Sequence, residues 1–283
     1  MDGIIVVNKP SLMTSRDVVN KVSKILKTKK VGHTGTLDPL ATGVLAICVG
    51  KATKLVDVIT STTKEYVAGV KVGVLTDTLD TEGNVLMHSN DHVSRERLSL
   101  VLSSFIGEYE QEVPIYSAVK VNGKKLYEYA RSNQTVKLPR RKVKIMDVKL
   151  LEVNPSGYKF YVKVSKGTYI RSLIRDINKE LSVIGVMSTL ERVSQGKFKL
   201  KDSFTLEEIE SGEYKLLSIT DVLGNDDCVS VSEETFHKIK NGALIKNTFD
   251  KKTVTFMYDN KVIATYKEYD KDKGLLKPDK IFI

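Results

Sequence analysis

Apolar residues recur along the chain with two spacings, and these assign most elements. Residues 3–7 form a short apolar run closed by Asn8-Lys9-Pro10, the pattern of a buried strand ended by a turn. Ser15 then caps a helix whose Val18, Val19, Val22, Ile25 and Leu26 share one face. Residues 43–49 read as a second buried strand, and 64–74 alternate Tyr66, Ala68, Val70, Val72 and Val74 as a half-exposed one. A Ser94-capped helix follows, with Leu98, Val101, Leu102 and Phe105 at helical spacing. Residues 143–153 and 159–164 form two strands around the turn Asn154-Pro155-Ser156-Gly157. Ile170, Leu173, Ile174, Ile177 and Leu181 mark an amphipathic helix.

Strands and helices mix without a strict βαβ rhythm, so the expected class is α+β. The pattern changes around Asn225-Asp226-Asp227. Beyond it come a short helix over 232–240 stopped by Asn241-Gly242 and a hairpin of 253–258 with 261–266 around Asp259-Asn260. A small, mostly β domain is expected over 226–283, after a larger one over 1–224.

Composition narrows the class. The 283 residues are 41% hydrophobic and 28% charged, which excludes disordered and collagen-like chains. The longest apolar runs fall well short of the roughly 18 residues of a spanning helix. Met1-Asp2-Gly3 leads straight into a strand with no basic leader, so the cytoplasm is expected, and no membrane partner. Cys48 and Cys228 are too few for a disulfide framework or a cysteine-based metal site.

The formal net charge is +10, which points to a polyanionic partner. Residues 120–149 hold ten basic residues, among them Lys120, Lys124, Arg131, Arg140, Arg141 and Lys142, against only Glu128 and Asp147. A solvated face explains such a run as readily as RNA does. Tyr116, Tyr127 and Tyr129 tip it toward nucleic acid, because aromatic faces stack on unpaired bases.

Chemistry concentrates in residues 32–43, a turn-rich loop with three glycines. Pro39 biases Asp38 toward an extended or turn backbone. An Asx turn is the bland reading of Asp38, and a loop histidine that of His33. One His and one Asp cannot fill a metal site. Residues 77–83 carry Asp77, Asp80 and Glu82 but not a calcium-loop spacing, so an acidic turn is expected there. Ser165-Lys166-Gly167-Thr168 lacks the upstream glycines of a phosphate loop and reads as a turn placing Tyr169 and Arg171 at a helix start.

Taken together, Asn8-Lys9-Pro10, Thr14-Ser15, the 32–43 loop, Lys64 to Tyr66, Thr76 to Gly83, Val113-Pro114, Ser117-Ala118-Val119-Lys120, Leu126-Tyr127-Glu128 and Ser165 to Arg171 resemble the bacterial tRNA pseudouridine-55 synthases of the TruB type. The likeness runs in family order over nearly the whole chain and includes the loop pattern G-H-x-G-x-L-D-P-x-A-x-G. The C-terminal segment is similar to the PUA RNA-binding domain of many members. Two positions depart: Leu12 stands where the family usually has glycine, and Leu190-Glu191-Arg192 where it favours Leu-Arg-Arg.

The resemblance implies a central, mostly antiparallel sheet crossed by a cleft, with an insertion over about 112–142 closing on the RNA stem. It implies isomerisation of a flipped-out uridine in the T-arm of tRNA, without cofactor or metal, by a monomer. Asp38 becomes the nucleophilic catalytic carboxylate, with Arg171 as its electrostatic partner. Tyr66 stacks on the base near C5, Tyr169 and Leu190 complete the pocket, His33 fills the space left by the nucleotide, and Lys9 joins the substrate-binding set. Asp38 can attack the anomeric carbon, attack C6, or take a sugar proton; these stay open. A catalytically silent RNA-binding or RNA-folding protein shares the charge but has no need of Asp38, Tyr66 and Arg171 together. A carboxylate-dependent hydrolase wants a second acid near the first, and none stands out in the sequence.

Overall fold

The computed structural model describes residues 1–224, 227–249 and 251–283. Strand β1 (Gly3–Lys9) leads to helix α1 (Ser15–Ile25), and β2 (Val31–His33) and β3 (Thr42–Val49) flank the acid-bearing loop. Next come α2 (Val56–Thr60), β4 (Lys64–Val72), the hairpin β5 (Val74–Thr76) and β6 (Val85–His88), α3 (Arg95–Ser104) and β7 (Gly107–Glu112). An excursion holding β8 (Lys120–Val121), β9 (Lys124–Lys125) and α4 (Leu126–Arg131) returns to β10 (Arg140–Asn154) and β11 (Gly157–Val164). The larger half ends with α5 (Ile170–Leu181), β12 (Gly185–Gln195), β13 (Phe198–Lys199), α6 (Leu206–Ser211) and α7 (Ile219–Leu223). Beyond it lie β14 (Val229–Ser230), α8 (Glu233–Lys240), β15 (Ile245–Lys246), β16 (Thr253–Tyr258), β17 (Lys261–Tyr269) and β18 (Asp272–Ile281).

Nine strands form one sheet in the order β1-β3-β12-β4-β11-β10-β7, with β2 on β3 and β13 on β12. Every pairing in it is antiparallel except β3 with β12, so the α+β class with a mostly antiparallel central sheet holds. Helices α3 and α5 cover one face, where Leu98, Leu102, Leu173, Ile174 and Ile177 meet Ala68, Val70, Phe160 and Val162. Each such side chain contributes about 1.5–3 kcal/mol relative to exposure. Helices α1 and α6 bury Val18, Val22, Leu206 and Ile209 on β1 and β3. The C-terminal strands form a separate five-stranded sheet, β14-β16-β17-β18-β15, that packs Val262 and Phe282 against Ile4, Ala52 and Ile219. Its β16–β17 turn places Asp259 and Asn260 at φ 49° and 55°, as a two-residue hairpin of right-handed twist requires. Among the described residues no helix is long and apolar enough to cross a membrane.

Several expectations are corrected. Thr14, not Ser15, caps α1: its hydroxyl accepts the Asp17 amide at 3.1 Å, and the Asp17 carboxylate accepts the Thr14 amide at 2.9 Å. Ser15 is the first helical residue and is free for another task. Strand β12, in the middle of the sheet, has no counterpart in the sequence reading, because Ser188, Thr189, Glu191, Arg192, Ser194 and Gln195 hide its character. The charged strand β7 and the lysine-rich β18 escape the pattern for the same reason. The excursion leaves the sheet at Val113 and rejoins it at Pro139, joined by a 3.0 Å backbone bond. Arg140, Arg141 and Lys142, expected inside it, are instead the head of β10, paired with Glu112, Gln111 and Glu110. The domain junction expected at Asn225-Asp226 lies outside the described residues.

Candidate active site

The loop carrying Asp38 is held by the segment just before α1. Ser15 Oγ accepts the Leu37 amide at 2.8 Å and donates to the Leu37 carbonyl at 3.2 Å. The Leu12 amide donates to the Pro39 carbonyl at 2.9 Å, and Ser11 Oγ to that of Leu40 at 3.2 Å. Lys9 is fully buried, with Nζ on the carbonyls of Pro10 (2.7 Å) and Pro39 (3.2 Å). Burial lowers its pKa to about 8, while nearby Asp38 acts in the opposite direction. Lys9, expected in the substrate-binding set, does not line the cleft; its ammonium staples the acid loop from behind. Leu12 sits at φ 65°, the left-handed region where glycine is at ease, which explains the family's glycine there.

At the loop's end, Gly43 has φ 96°, and a Cβ there would lie 2.4 Å from the Arg192 carbonyl oxygen. Only glycine lets β3 run beside β12 at this point. Arg192 itself is buried, donating from Nε to Val44 (2.7 Å) and from Nη2 to Gly35 (3.1 Å), so the second basic position of the usual Leu-Arg-Arg braces the loop.

Asp38 is thereby presented to the cleft with one-third of its side chain exposed, and Arg171 meets it as a fork. Nε donates to Oδ2 at 2.9 Å and Nη2 to Oδ1 at 3.1 Å. Arg171 is 6% exposed, and two more of its N–H groups go to the carbonyls of Thr78 (2.9 Å) and Tyr116 (3.0 Å). A guanidinium held by four hydrogen bonds has one orientation.

A second carboxylate stands against it. Asp80 Oδ2 lies 3.9 Å from Arg171 Nε, and Asp80 Oδ1 accepts the Thr78 hydroxyl (2.6 Å) and the Glu82 amide (3.1 Å). The acidic turn therefore belongs to the site, which corrects the expectation that no second acid accompanies Asp38. Asp80 is buried and engaged, so it shapes the field at Arg171 more than it offers a free acid.

The cleft above Asp38 has a volume of about 840 Å3. Tyr66 on β4, Leu190 on β12 and Tyr169 just before α5 line it together with Asp38 and Arg171. Register explains part of this: Leu190 pairs with Ala68 and Arg192 with Tyr66 across β12 and β4. Lys120, Arg140, Arg141, Lys142 and Lys166 form its basic rim, with the Arg141 guanidinium 5.6 Å from the Tyr169 ring.

His33 is half-buried at the end of β2, outside the lining. Its pKa is lowered by burial first, then by the cations Arg16 and Arg192. Lys124 and Arg131 also lie off the cleft: Lys124 binds Ser132 and Gln134 at 3.1 and 2.8 Å and sits over the Tyr129 ring, and Arg131 sits over Tyr127. Those tyrosines thus serve the excursion's own cations. Lys64, two residues before Tyr66 in the same motif, is a buried cleft residue whose Nζ donates to Thr60 (2.5 Å) and Thr62 (2.7 Å). Burial lowers its pKa to about 8.

Comparison with known proteins places the chain in a family. Residues 23–170 match the family described as TruB family pseudouridylate synthase (N terminal domain). The tRNA pseudouridine synthase B of Bacillus cytotoxicus is 41% identical, covering 100% of this chain and 98% of the relative. That of Geobacillus thermodenitrificans is 39% identical, covering 100% of both. Among solved structures, a Cbf5-Nop10-Gar1 complex contains a chain with TM-score 0.76 and 26% identity, covering 99% of this chain and 85% of that one. An H/ACA RNP bound to a substrate RNA containing 2'-deoxyuridine gives 0.74 and 25% over the same shares. Sequence, fold and cleft converge, and the chain belongs to the TruB family of pseudouridylate synthases, as an enzyme that forms pseudouridine in tRNA.

Proposed function

We propose that the enzyme isomerises uridine 55, in the T-arm of tRNA, with Asp38 as the catalytic carboxylate. The observation that carries this reading is the one-third-exposed Asp38 carboxylate, forked onto buried Arg171 at the floor of the cleft. A stacked uridine cannot reach such a floor, so the nucleotide is flipped into the cleft. Tyr66 stacks on the uracil and its hydroxyl helps remove the C5 proton, while Tyr169 and Leu190 bound the pocket. The N-glycosidic bond breaks, the uracil turns, and a bond from C5 to the sugar forms. Asp38 acts on the anomeric carbon, on C6, or on a sugar proton. His33 fills the gap left in the RNA.

The excursion between β7 and β10, with the head of β10, grips the RNA stem. Residues 226–283 act as a PUA-like RNA-binding domain attached to a catalytic domain over 1–224. Their eleven lysines against ten acids favour recognition of a shaped part of the RNA over bulk attraction. The enzyme works as a monomer in the cytoplasm. The test is incubation with an unmodified tRNA transcript followed by mapping of pseudouridine. Product at position 55, absent when that uridine is replaced by cytidine, is expected. Product confined to other positions contradicts the assignment.

A further inference from the structure

Gln111 is fully buried on β7, an edge strand whose other residues are half-exposed or exposed. Its carboxamide makes three hydrogen bonds. Oε1 accepts the Tyr169 amide at 2.7 Å, and Nε2 donates to the Tyr169 carbonyl at 3.1 Å and to the Tyr109 hydroxyl at 2.6 Å. The side chain thus pairs with one backbone unit as a neighbouring strand would, through one donor and one acceptor. A carboxylate cannot donate, and a hydroxyl cannot reach both atoms.

The unit it holds is the start of α5. Tyr169 is the N-cap residue, and no side-chain bond caps the helix. Its carbonyl already takes the first helical bond, from the Leu173 amide at 3.0 Å. Gln111 takes up from the sheet the N-cap amide, the donor that a Glu or Gln at N3 accepts in a capping box. Arg171 follows two residues later, and one turn further on Arg175 binds Glu112 at 3.0 Å. The placement of Tyr169 over the cleft and of Arg171 on Asp38 is inherited from the docking of β7 on this helix start.

We infer that Gln111 is a positioning residue for pseudouridine formation: it sets the Tyr169 ring and the Arg171 guanidinium relative to Asp38 without touching RNA. The inference rests on the reading of Asp38 as the reacting carboxylate. Its test compares Gln111→Met, Tyr109→Phe, Arg171→Lys and Asp38→Asn in the full chain. Readouts are the single-turnover rate at saturating tRNA transcript, the Kd and the melting temperature.

Gln111→Met is expected to slow turnover about 10- to 100-fold, the scale of small misplacements at a reacting centre, with Kd within about three-fold. Tyr109→Phe removes one of the three amide bonds and leaves both to Tyr169, so its rate stays near wild type even where its melting temperature falls. In the Arg171→Lys background Gln111→Met adds less than its own factor, because both act on the same pair. Should Gln111→Met fail to fold, Gln111→Asn, too short to span both Tyr169 atoms, is read in the same way. A wild-type rate for the Gln111 variant beside an inactive Asp38→Asn overturns the inference alone, as do an equally slow Tyr109→Phe or fully independent losses with Arg171→Lys. Turnover by Asp38→Asn removes the reading beneath it, and the inference with it.

Discussion

The two walls of the cleft are built to different standards. On one side, the Asp38 loop is fastened by Lys9, Ser11, Ser15 and Arg192, and its acid is forked onto an arginine that two backbone carbonyls also hold. On the other, the 113–139 excursion buries only Val113, Pro114, Ser117 and Leu126, and its remaining residues are half-exposed or exposed. Displacing the first wall breaks many buried bonds at once, which confines the carboxylate to one geometry. The second wall is lightly held and carries cations, as suits a surface that adapts to a polyanion. On the proposed function, rate and affinity reside in different parts of the molecule, and substitutions on the two walls are expected to fail in different ways.

The largest expected effect short of removing the acid lies with Tyr66. Tyr66→Phe keeps the aromatic face, and stacking of roughly 1–3 kcal/mol survives. If the hydroxyl removes the C5 proton, single-turnover product formation collapses while tRNA binding holds; a near-normal rate reduces Tyr66 to a stacking platform. Arg171→Lys comes next. It retains a charge but loses the fork to Asp38 and the bonds to Thr78 and Tyr116, so turnover should fall about 100-fold, equivalent to roughly 3 kcal/mol, with binding preserved. Normal turnover would mean that the fork is not used in catalysis.

The basic rim that continues the second wall onto the sheet is tested by neutralising Arg140, Arg141 and Lys142, at the head of β10, together. Affinity should fall, and the salt dependence should flatten by about 0.7–0.9 in slope for each phosphate no longer neutralised. The change should correspond to about two phosphates, because Lys142 is already paired with Glu108 at 2.9 Å. The rate at saturating tRNA should stay within a few-fold, and a collapse there would erase the distinction between the walls. The smallest effect is Leu12→Gly. Leu12 is 79% exposed at positive φ, so glycine loses little packing and relieves strain. A gain of up to about 1 kcal/mol in denaturant unfolding is expected, with unchanged turnover.

Most of the first wall is legible in the sequence because its motifs are local. Asn8-Lys9-Pro10, the 32–43 loop and the periodic α5 announce themselves within short windows. What escapes depends on partners far along the chain. Asp80 reads as a turn acid until folding brings it to Arg171, 91 positions on. Strand β12 fills its inward positions with Arg192, Ser194 and Gln195; Arg192 and Gln195 are buried only because Val44, Gly35 and Thr34 offer carbonyls. Lys9 sits in a recognisable motif, yet its role turns on the direction of one ammonium group, which no spacing records. The charge run from Lys120 to Lys149 looks continuous in sequence but divides between a loose excursion and a sheet strand.

The most direct test of the division between the walls is Asp38→Asn, nearly isosteric and neutral, with single-turnover pseudouridine formation and Kd measured on the same tRNA transcript. No detectable product is predicted, with Kd within a few-fold of wild type, since phosphate interactions dominate binding. Measurable turnover by Asp38→Asn, or a loss of affinity as large as that of the Arg140, Arg141 and Lys142 triple variant, would contradict it.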